Sequence, residues 1–160
     1  MLHDLVEDHV RDVEPRTLAG LFAVEYQSMV RLALLLTGSN EVAEDLVQDA
    51  FVRVQRNWDR IEQPGAYLRV VVVNRCRTWR GHRRRERPLR ASDGLSSDAA
   101  YREMIDALAR VPPRRRAALV LRYYEDRSEA EIAQILGCRP GTVKSLLHRG
   151  LAQLRVEIPR

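Results

Sequence analysis

Ala130–Arg155 reads AEIAQILGCRPGTVKSLLHRGLAQLR, a helical pattern interrupted by Gly137, Pro140 and Gly141. Before the break, Ile132, Ala133, Ile135 and Leu136 recur at helical spacing. After it, Val143, Leu146, Leu147, Leu151 and Leu154 do the same, so both halves are amphipathic helices by period. Gly137 suits the left-handed residue that ends a helix, because it has no Cβ to clash. Pro140 disfavours helix at Cys138 and Arg139. Thr142 either caps the second helix or sits in its first turn.

Two short helices joined by a tight turn make a helix-turn-helix. The motif needs a small residue where the helices cross, and Ala133 is small. Its turn needs a residue that tolerates positive φ, and Gly137 does. Ile132, Leu136, Cys138, Val143 and Leu146 stand at the offsets that hold the pair together. An ordinary helical hairpin shares this periodicity, so charge placement matters. Around the second helix, Val143, Leu146, Leu147, Leu151 and Leu154 share one side. Ser145, His148, Arg149 and Ala152 lie opposite, flanked by Lys144 and Arg155. A recognition helix needs one face in a core and the other in a major groove. Arg149 can pair with guanine, and Thr142 or Ser145 can reach a base or phosphate.

The 160 residues suffice for one ordinary domain or two small ones. Neither a membrane-length apolar run nor a signal peptide is read in the sequence. Cys76 and Cys138 lack CxxC or Cys/His spacing, so neither a zinc site nor a disulfide framework is expected. Lys144 is the only lysine among 27 basic residues. Net charge is +5, unevenly spread: residues 1–64 carry 12 acids and 6 arginines, residues 65–160 carry 10 acids and 21 basic groups. Such asymmetry suits a protein partner on one face and a polyanion on another. The densest run is Arg69–Arg90, with nine arginines against Glu86.

An all-α fold is expected. Residues up to about Glu14 read as a weak helix or frayed arm. Helices are predicted over Arg16–Thr37, from Ser39 or Asn40 to about Trp58, over Ala66–Arg85, Tyr101–Arg110 and Pro113–Tyr124, and then across the helix-turn-helix. Val70–Val73 favours a strand by propensity. The helical spacing of Leu68, Val72, Cys76 and Trp79 overrides it. Glu86–Ser97 is a polar linker. The result is two small helical domains, 1–85 and 98–160, joined flexibly through 86–97. Each has a core too small for much stability alone, and the two are expected to move independently until a partner fixes them.

Within the second predicted helix, Val42, Leu46, Val47, Phe51, Val54 and Trp58 form one stripe. Glu41, Asp45, Gln48, Asp49 and Val52 form the opposite one. An acidic helix face does not bind DNA, yet this one neighbours an arginine-rich helix that can. The stretches EDLVQDAFVRV, PGAYLRVVVVNRCRTWR and LARVPPRRRAALVLRYYEDRSEAEIAQILGCRPGTVKSLLHRGLAQLR resemble an extracytoplasmic-function sigma factor of bacterial RNA polymerase. The resemblance runs over about residues 16–156.

The resemblance implies a function without chemistry of its own. Neither a catalytic residue, a metal nor a cofactor is expected. It implies a cytoplasmic factor that binds polymerase core, through the β′ coiled coil and the β flap, and promoter DNA. An anti-sigma factor is a further candidate partner, and no membrane contact is implied. Asp45, Gln48 and Asp49 match the family's coiled-coil grip. Asn74, Arg77, Arg80 and Arg84 match its minus-ten reader. Asp59–Gly65 corresponds to the element that captures an unstacked base, with Trp58 and Tyr67 beside it. Arg139, Thr142, Lys144, Ser145, His148 and Arg149 match the minus-thirty-five reader. The sequence departs from the pattern at Thr78, where aspartate is common, at Leu146, where arginine is frequent, and at Gly150, where alanine is usual. Gly150 is expected to weaken its helix by about 1 kcal/mol. The main alternative is a helix-turn-helix regulator that binds an operator duplex without polymerase. An interaction-only protein is a second, and a nucleic-acid enzyme the least favoured.

Overall fold

Thr17 opens the first helix: its hydroxyl accepts from the Gly20 amide at 3.0 Å. The structure, a computed structural model, describes residues 17–83 and 98–158. The reading of the first residues as a frayed arm, and that of Glu86–Ser97 as a linker, lie outside the described residues. Helix α1, Leu18–Thr37, stops at Gly38, which adopts φ 77° and returns its amide to the Leu34 carbonyl. Ser39 then caps α2, Asn40–Arg56, by accepting from the Val42 amide. Glu41 lies in the first turn of α2, and Arg53 and Arg56 in the last, each favourable to the helix dipole. A 3-10 turn, Trp58–Arg60, leads to α3, Pro64–Arg83. Val70–Val73 is helical despite its strand propensity, because Val71, Val72 and Val73 are all buried.

Helix α4, Ala99–Arg110, is capped by Asp98, whose carboxylate accepts from the Ala100 amide. Helix α5, Pro113–Tyr123, starts on a proline whose missing N–H costs nothing at a first-turn position. Helix α6, Glu129–Leu136, opens with a capping box: Ser128 Oγ accepts from the Glu131 amide while the Glu131 carboxylate accepts from the Ser128 amide. Helix α7, Pro140–Glu157, follows after three residues. All regular structure among the described residues is helical.

Helices α1, α2 and α3 pack on one another, and α5, α6 and α7 form a second group with α4 laid against α7. The two groups meet at a seam. Helices α4 and α5 lie on α1, and α5 and α6 lie on α3, so one continuous core joins both halves. The physical reason is in the side chains. From Leu32 to Thr37, α1 is buried on every side, and Ala117–Leu121 of α5 is buried likewise. A helix apolar all round must be covered all round. Sharing a core also relieves the weakness of two small ones.

Helix α1 is long and apolar enough to cross a membrane by composition. It carries Glu25 and Arg31, and Leu21, Met29 and Leu32–Leu36 sit in the protein's core.

Candidate nucleic-acid interface

Gly137 closes α6 at φ 64°, and the Cys138 amide turns back to the Ala133 carbonyl at 2.9 Å. Ala133 is 5% exposed, which lets α6 and α7 cross closely. Ile132, Leu136, Val143 and Leu147 are buried, with Leu146 and Cys138 half-buried beside them. Arg139 is the N-cap residue of α7 and Pro140 its first residue, so Thr142 belongs to the first turn rather than the cap. Lys144, Ser145, His148, Arg149 and Arg139 are exposed, and Thr142 is half-buried. Five of the six residues matched to the minus-thirty-five reader therefore form an open polar surface, backed by Val143 and Leu147 in the core.

Gly150 sits on the buried side of the same helix. A Cβ built there would stand 3.1 Å from two carbons of Leu119. The loss of helix propensity expected at this position thus has a packing counterpart: the absent side chain lets α7 approach α5.

On α3, Asn74 is exposed and accepts from Arg77 Nη1 at 3.2 Å. Arg77 itself is half-buried. Burial first, then the charge of Arg114 on α5, pulls its pKa below the ordinary arginine value. The side chain of Arg80 and all of Arg84 lie outside the described residues, so the four matched positions are placed only in part. Thr78, where the family pattern favours aspartate, bonds its own helix through the Asn74 carbonyl at 3.0 Å. Tyr67, Val70, Asn74, Thr78 and Trp79 line an open groove of about 530 Å³ between α3 and α2. In the expected base-capturing loop, Asp59 and Arg60 are exposed within the 3-10 turn, whereas Trp58 packs on the core. Of the two flanking aromatics, only Tyr67 faces the groove.

Asp45, Gln48, Asp49 and Val52 are all exposed on α2, and Val47, Ala50 and Val54 on its other side are buried. Asp49, well exposed, reaches the half-buried Arg75 at 3.4 Å, and pairs this open to solvent contribute about 0–1 kcal/mol. Phe22 of α1 is 46% exposed, stacked on Tyr26 at 4.6 Å and tilted against Phe51 of α2 at 5.0 Å. No cluster of three metal-ligating side chains occurs among the described residues. Cys76 is buried and Cys138 half-buried, both as free thiols.

Sequence reasoning missed three residues that join the halves. Arg116 is 1% exposed and donates from Nη1 to the Leu36 carbonyl at 3.0 Å and from Nη2 to the Val111 carbonyl at 2.7 Å. Arg69 of α3 donates from Nε to Glu125 Oε2 at 2.7 Å, with side-chain exposures of 14% and 10%. The signal for Arg116 was its helical phase: Leu119 and Val120 lie three and four residues on.

Residues 21–87 match the sigma-70 region 2 family and residues 101–154 the sigma-70 region 4 family. The RNA polymerase sigma-E factor of Streptomyces avermitilis is 37% identical over 141 residues, covering 82% of this chain and 79% of that protein. The ECF RNA polymerase sigma factor EcfG of Rhodopseudomonas palustris is 31% identical, covering 79% and 77%. Among solved structures, the sigma factor RpoE of Bartonella quintana, in complex with the anti-sigma factor NepR, superposes with TM-score 0.68. It is 23% identical and covers 85% of this chain and 92% of that one.

Proposed function

The chain belongs to the extracytoplasmic-function sigma factors of bacterial RNA polymerase, and from that membership we propose how its surfaces divide the work of directing transcription initiation. The acidic face of α2, Asp45, Gln48 and Asp49, grips the β′ coiled coil. Helix α3, through Asn74, Arg77, Arg80 and Arg84, reads the minus-ten element and holds melted DNA. Helix α7 reads the minus-thirty-five element through Arg139, Thr142, Lys144, Ser145, His148 and Arg149, while its domain meets the β flap. The division at 1–85 and 98–160, with 86–97 as tether, is part of the same proposal. So are an anti-sigma factor as regulatory partner, action in the cytoplasm, and the absence of any catalytic step of the chain's own.

One observation carries this reading: a recognition face on α7, exposed at every position but the half-buried Thr142, occurs in the same chain as an exposed acidic stripe on α2. A lone operator binder needs the first and has no use for the second. Run-off transcription with core polymerase on a library of random DNA fragments tests it, with and without the chain. New start sites should appear only with the chain, and should vanish with Asp45→Ala plus Asp49→Ala while α7 still binds the selected DNA. Selected DNA bound without any polymerase-dependent transcript would establish the regulator instead.

A further inference from the structure

Helix α2 carries charges of both signs on its exposed side. Asp45 and Asp49 belong to the stripe assigned to polymerase, and Arg53 stands one turn beyond Asp49, also exposed. That spacing suits an Asp–Arg pair along the helix. The pair is not made: among the described residues no carboxylate lies within ion-pair distance of Arg53. Asp49 bonds Arg75 of α3 instead. Arg53 and Arg75 line the groove between α2 and α3, one from each helix, together with Tyr67, Asn74, Thr78 and Trp79. Arg77, matched to the minus-ten reader, is not among the groove's residues, and its charged neighbour is Arg114 of α5.

The fold leaves both arginines short of partners. Asp49 Oδ2 accepts from Arg75 Nη1 at 3.4 Å, long beside the distance of about 2.7–2.9 Å usual for a charge-assisted bond. Arg75 Nε is buried without a hydrogen-bond partner, and an unpaired buried donor is costly. Thr78, three residues on, gives no relief, because its hydroxyl donates to the Asn74 carbonyl. Arg75 therefore gains by leaving Asp49 for a stronger acceptor in the groove. Carboxylate and phosphate are the acceptors that match a guanidinium fork. A polymerase element that grips Asp45 is basic or rich in donors, and like charge keeps it off two arginines. A polyanion fits better. Tyr67 and Trp79 share the groove, so a base and its phosphates both find partners there.

We propose that Arg53 and Arg75 form a phosphate clamp for the DNA strand whose base enters this groove. The proposal rests on the assignment of α3 to the minus-ten element, and it gives α2 a part in holding DNA beside its acidic stripe. Arg53 meets the strand from the α2 wall. Arg75 meets it from the α3 wall after leaving Asp49. Asn74 and the aromatic rings receive the base. Because the strand enters only once a base is extruded, the clamp stabilises opened DNA and contributes little to duplex binding.

The test uses holoenzyme assembled at saturating core polymerase, with the full chain carrying Arg53→Gln, Arg75→Gln or both. The probe is a labelled bubble bearing a promoter selected by the wild-type holoenzyme, beside its closed duplex. Each single variant should bind the bubble about tenfold more weakly, with a smaller loss on the duplex. The slope of log affinity against log salt should fall by about 0.7 for each arginine removed. A loss of packing alone would leave that slope unchanged. Arg75→Lys should restore the slope and recover part of the affinity. A second measurement starts from the wild-type chain and needs no substitution in it: single methylphosphonates, which are uncharged, are placed along each strand of the bubble. At one or two positions beside the extruded base they should weaken wild-type binding, and at those positions they should have no further effect in the double variant. Unchanged affinity and slope in the double variant, or methylphosphonate losses that persist in it undiminished, overturn the clamp. Core affinity lost with bubble binding intact would give the groove to polymerase and overturn it equally. A wild-type holoenzyme that selects no promoter would overturn the functional reading itself, and the clamp with it.

Discussion

Gly150 of α7 and Leu119 of α5 approach so closely that a Cβ on the glycine would stand 3.1 Å from both Cγ and Cδ1 of the leucine. Two effects then compete in Gly150→Ala. Helix propensity favours alanine by about 1 kcal/mol. Overpacking a buried contact costs about 1–3 kcal/mol, and Leu119, 3% exposed, has little room to yield. The net result should be a loss of up to about 2 kcal/mol, read as a lower midpoint in urea unfolding. A more stable variant would mean that Leu119 rotates away freely.

The same pair shows where the sequence was legible and where it was not. Ala133, Gly137 and Pro140 specify a helix-turn-helix through local sterics alone, and the structure has it. Gly150 is as local in sequence, yet its role depends on a residue 31 positions away, which no periodicity reveals. The seam was hidden for a related reason. Leu32–Leu36 is apolar on every side, and that pattern reads alike for a deep core helix and for one shared by two domains. Arg114, Arg115 and Arg116 are adjacent and identical in type, but only Arg116 points inward with Leu119 and Val120. Charge placement on α2 and α7 was legible because exposed faces need only helical period, whereas the chain segment bearing Arg84 has no described geometry to compare.

Arg116 offers a stability test that separates hydrogen bonding from volume. Methionine fills similar space but leaves the Leu36 and Val111 carbonyls without a donor. Lysine keeps the charge but lacks the planar fork that serves both. Both Arg116→Met and Arg116→Lys should lose about 2 kcal/mol, lowering Tm by roughly 4–8 °C for a chain of this size. Thermal circular dichroism measures it. A methionine variant as stable as the wild type would show that relief of the buried charge offsets both bonds, as replacement of buried ions can.

Cys76 makes stability fall at alkaline pH. Burial pushes its thiol from 9.0 up to about 12. Between these values the unfolded chain has lost its thiol proton while the folded chain keeps it. This contribution is therefore complete below about pH 9 and is lost as pH rises to about 12. The loss is on the order of a few kcal/mol. Cys76→Ala or Cys76→Val should flatten that part of the pH–stability curve. At neutral pH, a maleimide should label Cys138 first and reach Cys76 only on unfolding, because thiolate and access are both needed. Equal labelling rates at the two sites would show that α3 opens locally.

Promoter melting depends on what the α3 surface can hold once a base leaves the stack. Unstacking costs a few kcal/mol, and positive charge alone cannot recover it, since duplex and single strand both carry phosphates. A platform for an extruded base can. Tyr67 and Trp79 line the same open groove as Asn74, so an aromatic face and an amide lie together beside the arginine run. Stacking on such a face is worth about 1–3 kcal/mol per base, and Asn74 can add hydrogen bonds to the base edge. Holoenzyme should therefore prefer a selected promoter pre-opened as a bubble over its duplex, with binding that falls steeply in salt as counterion release requires. Tyr67→Ala should weaken bubble binding by about 1–3 kcal/mol with little effect on the duplex. Asn74→Ala should reduce permanganate reactivity of the promoter more than it reduces the gel shift of the same samples. If both variants lose duplex and bubble binding in equal measure, α3 reads closed DNA, and the opening step must be driven from elsewhere in the holoenzyme.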